Sequence, residues 1–171
     1  MGRLLHDSKS YVMPKYTVQS VLDAFPDAKG IMRREIDVPS YSKVAVSVFP
    51  RWLGEENLGQ LDCNTPSERT SRDERLLSHW SRIFDETEVF GVNQNGEFAH
   101  LTDKAAYIEV CRNHPNKPSD QFQFIAIPEL QVLYHEHWDD TNVAWFQNRS
   151  RLTPLLTWAR DCGLHVLEYD T

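Results

Sequence analysis

The chain has 171 residues, of which 40% are apolar and 25% charged, and it carries a net charge of −7. That is enough length and apolar content for one domain with a sizeable core, and too apolar for a disordered chain. The acidic balance argues against nucleic acid as a partner, because phosphate binding needs a basic surface, and no apolar run is long enough to span a membrane.

The three cysteines, Cys63, Cys111 and Cys162, are an odd count without close spacing. They point away from a disulfide framework or zinc ribbon and toward a reducing cytoplasm. Cys111 and Cys162 fall in helical patterns and read as small core residues. Residues 1–15 lack the apolar stretch and cleavage site of a secretory signal, and read as a flexible arm ahead of a single domain over 16–171.

Thr17 is placed to cap a short helix with Val18, Val21, Leu22 and Phe25 as its apolar positions, stopped by Pro26. Residues 31–38 read as an exposed strand and 43–49 as a better one, with Val44, Val46 and Val48 on one face. A turn at Pro39-Ser40 would join them as a hairpin. Residues 50–70 have little periodicity and read as a long surface loop holding the acidic pair Glu55-Glu56, with Trp52 and Leu53 turned inward. Ser71 and Glu74 form a capping-box pattern for a helix whose stripe is Leu76, Leu77, Trp80, Ile83 and Phe84. Asn95-Gly96 predicts a type I′ turn between strands over 89–92 and 98–101. Thr102 is placed to cap a helix over 103–112, followed by a polar loop over 114–120.

The C-terminal third is the most strongly patterned part of the chain. Residues 122–127 are apolar on both alternating sets, which predicts a central strand covered on both sides. Two more strands follow over 131–138 and 143–147, joined by turn chemistry at Asp139-Asp140-Thr141-Asn142. Leu152, Leu155, Leu156 and Ala159 make a helical stripe, with Ser150 or Thr153 as the cap, Pro154 in the first turn and Gly163 ending the helix. Residues 164–169 complete a strand–helix–strand crossover. The sum is an α+β fold, a mostly antiparallel sheet with about four helices packed on one face.

Candidate sites are few. His135 and His137, at i and i+2 on a strand, point the same way, as two ligands of a zinc or iron site would. No third ligand motif accompanies them, so no metal or other cofactor is expected. No nucleophile elbow or phosphate loop is present, and the paired carboxylates fall in turns. Arg69, Arg72, Arg75 and Arg82 read as solvated helix faces. Trp138 beside Asp139 and Asp140 is the combination a protein interface with a basic partner would use, and Glu55, Glu56 and Asp62 form a second acidic patch.

In size, charge and α+β character the chain resembles the immunity proteins that neutralise bacterial toxins. That resemblance implies a non-catalytic, cytoplasmic protein-binding or inhibitory role, with a basic cognate toxin as partner. The competing expectation is a small enzyme performing metal-assisted hydrolysis around His135 and His137. Neither nucleic acid nor membrane is expected as a partner, and oligomeric state is not legible.

Overall fold

A computed structural model describes residues 14–33, 40–62, 65–112, 118, 121–137 and 139–169. In chain order the elements are α1 (Val18–Ala24), α2 (Ala28–Arg33), β1 (Ser42–Ser47), a 3-10 segment (Glu55–Gln60), α3 (Pro66–Glu86), β2 (Val89–Val92) and β3 (Phe98–Leu101). Then come α4 (Lys104–Cys111), β4 (Phe124–Ile127), β5 (Val132–Glu136), β6 (Thr141–Phe146), α5 (Arg149–Asp161) and β7 (His165–Glu168).

The strands form one seven-stranded sheet in the order β3-β2-β4-β5-β6-β1-β7, with every pair antiparallel. This is the expected α+β class. β1 is slotted between β6 and β7, the last two strands of the chain. Both run antiparallel to it, so β6 and β7 are parallel to each other, and α5 carries the chain across β1 between them.

The period-2 alternation sends side chains to opposite faces, and each face has its own cover. Val44, Val46, Ile125, Ile127, Val132 and Tyr134 pack under Leu76, Trp80 and Ile83 of α3, Tyr107 of α4, and Leu152, Leu155 and Leu156 of α5. Phe90, Phe124, Ala126 and Leu133 pack under Val21 of α1, Phe25 at its C-cap, and Ala28 and Ile31 of α2. The helices therefore lie on both faces, not on one. β4 is buried at all four positions, and a strand covered on both sides requires a second layer.

Several local expectations are corrected. Residues 28–33 are helical, because Ala28 and Ile31, one turn apart, are both buried. The rest of the expected strand over 31–38, and the Pro39 turn, lie outside the described residues. α3 starts at Pro66 instead of after Ser71: Thr65 accepts a hydrogen bond from the Glu68 amide at 3.1 Å, with Pro66 at the first turn, where its missing N–H costs nothing. The β2–β3 connection is a three-residue loop with only Gly96 left-handed (φ 78°), closed by Gly96 N–H to Asn93 O and Asn93 N–H to Glu97 O. This is a type I turn with a G1 bulge in place of type I′. Asp103, not Thr102, caps α4, and Asn148 caps α5.

Pro154 stands inside α5, past its first turn. Gly163 ends that helix as expected, at φ 74°, with Leu164 N–H to Ala159 O and Gly163 N–H to Arg160 O. The expected arm over 1–15 is described only at Pro14 and Lys15, and Lys15 is already tied down: its amide donates to Glu88 at 2.6 Å and its ammonium pairs with Glu129.

Candidate functional site

The early start of α3 places Glu68, Arg69, Arg72 and Asp73 on its first turns, where i,i+4 spacing aligns Glu68 with Arg72 and Arg69 with Asp73. The two arginines share a partner, Asp140, from the β5–β6 connection. Arg69 grips it with two hydrogen bonds of 3.0 and 2.8 Å, and Arg72 adds a third at 3.2 Å. Burial would lower the Arg69 pKa, but the hydrogen bonds to Asp140 and Asp73 outweigh it and raise the pKa above its ordinary value. Asp140 holds φ 53°, a left-handed angle that aspartate tolerates, and its carbonyl accepts from the Val48 amide.

Arg72 also fixes the loop. It donates to Gln60 O at 2.8 Å and to Leu61 O at 3.3 Å, and its guanidinium lies 4.8 Å from the Phe49 ring centre. Glu55, Glu56 and Asp62 are exposed on the segment so held, and Leu58 and Trp52 are exposed with them, at 46% and 43%. Trp52 is turned outward, against the expected inward placement, and is positioned by its indole N–H donating to Glu168 O at 2.8 Å and by contact with Tyr169, ring centres 4.9 Å apart. Large apolar side chains thus share this segment with three carboxylates that pair with no cation among the described residues, on backbone pinned at several points.

The hairpin end differs from the acidic tip read from the sequence. Asp140 is only 3% exposed and neutralised by two arginines, so it presents no free charge to a partner. Asp139 is half-buried, and burial raises its carboxyl pKa, against hydrogen bonds that lower it. Trp138 lies outside the described residues. The arginines 69 and 72 are not solvated faces but the anchor itself. Their signal in the sequence is the pattern Thr65-Pro66-Ser67-Glu68, a helix start followed by two oppositely charged pairs at i,i+4.

His135 and His137 do share a face, with ring centres 4.7 Å apart, and His135 also meets the edge of Phe124. Among the described residues, no group of three or more His, Cys, Asp or Glu is arranged to hold a metal ion. On the opposite face, a cavity with room for about one water lies between Trp80, Cys111, Glu136 and Asn142. Deeper in the same core, His79 bridges Tyr134 and the Leu155 carbonyl, at 3.1 and 3.3 Å.

Comparison with protein-family models, with curated proteins and with solved structures finds no match to this chain.

Proposed function

We propose that the chain acts by binding another protein through the surface of Trp52, Glu55, Glu56, Leu58 and Asp62, and that the partner is basic. The observation that carries this reading is the exposure of Trp52 and Leu58 on a loop that Arg72 holds at two backbone carbonyls. A free loop would lose conformational entropy on binding; a pinned one has lost it already. Three carboxylates beside the apolar pair would steer a basic partner and make its association salt-sensitive. The chain's net charge of −7 adds to that field. An immunity-type inhibitor of a bacterial toxin fits this pattern, with the toxin supplying the basic surface.

The test is titration of a candidate partner, drawn first from products of adjacent genes, against wild type and Glu55→Lys/Glu56→Lys. The double variant reverses the loop's charge without touching the anchor. We expect a slower on-rate and a weaker salt dependence. Unchanged affinity and on-rate across a range of salt would remove this loop from the reading. Turnover of a small substrate at catalytic protein levels would remove the non-enzyme reading altogether.

A further inference from the structure

Several rings of this protein carry a cation supplied by the chain itself. Arg72 lies over Phe49, Arg149 over Phe146 at 5.5 Å, and Lys43 sits 4.9 Å from the Trp145 ring and 5.0 Å from the Tyr169 ring. The attraction is electrostatic, between the positive charge and the negative face of the ring, and it is strongest for tryptophan. Trp52 stands apart. It is well exposed, and among the described residues no cation lies over its ring.

A carboxylate that pairs with no cation among the described residues lies on the same segment. Glu56 folds back over Gly54, so that both its oxygens lie 2.6 Å from the position a Cβ on that glycine would take. Gly54 is two residues from Trp52, which keeps this carboxylate within about 10 Å of the Trp52 backbone. It accepts from the neutral Asn57 amide at 2.8 Å, and among the described residues no cation pairs with it.

We propose that Trp52 and Glu56 form a subsite for an arginine side chain of the protein partner. This rests on the protein-binding reading above and deepens it by naming the residue type recognised. The guanidinium stacks on the open indole face while its in-plane N–H groups reach the carboxylate. Arginine suits this better than lysine, because a planar, weakly hydrated guanidinium stacks and donates sideways in one pose, whereas an ammonium is a compact, strongly hydrated point charge.

The experiment uses blocked hexa-arginine and hexa-lysine peptides as probes, followed by NMR of the indole N–H signals. The Trp52 signal is assigned by its loss in Trp52→Phe. Hexa-arginine should shift that signal more than those of the other tryptophans, and bind at least about three-fold more tightly than hexa-lysine. Trp52→Leu should weaken binding of hexa-arginine by about ten-fold, and Trp52→Phe, which keeps a ring but a weaker quadrupole, by less. Glu56→Gln should weaken it several-fold, as should Gly54→Ala, whose new methyl displaces the carboxylate. Equal affinity for the two peptides, absence of binding, or no loss in Trp52→Leu would overturn the subsite. If the subsite fails while Glu55→Lys/Glu56→Lys still weakens a cognate protein, the broader reading survives. If the cognate protein ignores the loop's charge, the broader reading falls whatever the peptides do.

Discussion

Arg72 and Asp140 are 68 residues apart in sequence, yet their side chains meet at 3.2 Å with both ends buried. One guanidinium joins three parts of the fold: its own helix α3, the hairpin connection that supplies Asp140, and the 3-10 segment whose carbonyls it holds. The position of the exposed loop therefore depends on a charge pair in the interior. Removing two such charges from water is costly, and here the cost is offset by saturation of the guanidinium with carboxylate, carbonyl and ring partners.

Asp140→Asn should destabilise the fold by about 3 kcal/mol, the lower end of what removing one partner of a buried pair costs. The lower end applies because Arg69 keeps Asp73 and Arg72 keeps Glu68. Asparagine tolerates the left-handed angle at this position, so the backbone is spared and the change isolates the charge. Urea unfolding at neutral pH reads the loss directly. A loss below about 1 kcal/mol would mean that the pair behaves as a surface bridge.

Arg72→Lys should loosen the loop more than it harms the core. Lysine keeps the charge but cannot donate in one plane to Gln60 O, Leu61 O and two carboxylates. We expect faster cleavage after Glu55 and Glu56 by a glutamate-specific protease under native conditions, with a smaller change in the unfolding midpoint. Unchanged cleavage would show that the segment is held by other contacts, such as Trp52 on Glu168.

Much of the fold was legible because its signals are local. The Val44 and Val46 alternation, the capped α1 and the Leu152, Leu155, Leu156 stripe each act within a few residues. The two-sided burial of β4 was legible as well, and taken to its consequence it calls for helices on both faces. What stayed hidden depends on distant partners. Nothing near β1 says that it divides β6 from β7, because strand order is decided by the closure of the whole sheet. Arg72 and Asp140 read as solvated charges because charged residues are seldom buried unless paired, and the pairing crosses 68 residues. The acidic loop was visible as Glu55, Glu56 and Asp62, but its anchoring, and the outward turn of Trp52, were not.

Leu155→Ala or Leu156→Ala should cost about 2–5 kcal/mol, the range for emptying a buried leucine site that cannot collapse. Both are buried on α5 against the sheet, and neighbours on α3 and the strands fix the walls of the space left behind. Exposed Leu58→Ala is the control, and should change stability by less than about 0.5 kcal/mol. A similar loss at all three positions would place the stripe of α5 on the wrong side.

His79 should make stability fall with acid. It is fully buried, and burial lowers its pKa to about 4, from an ordinary value near 6.5. Its partners fix the tautomer. The Leu155 carbonyl can only accept, so Nε2 carries the proton, and Nδ1 accepts from the Tyr134 hydroxyl. Protonating Nδ1 would take away the acceptor of the Tyr134 hydroxyl proton, and burial raises the Tyr134 pKa, so the hydroxyl keeps that proton and must turn to accept from Nδ1 instead. Below pH 6.5 the unfolded chain binds a proton that the folded chain refuses until about pH 4. Stability from this residue is therefore complete above pH 6.5, declines as pH falls through that window, and has lost about 3 kcal/mol once pH is below both values. His79→Gln keeps a donor and an acceptor but cannot titrate. Urea unfolding of wild type and variant at pH 7.5, 5.5 and 4.5 isolates the effect, because all other groups titrate in both. Wild type should lose about 1.4 kcal/mol more per pH unit than the variant in the middle of the window. Parallel curves would mean that the folded protein protonates His79 as readily as the unfolded chain does, and that the ring is not sealed in the core.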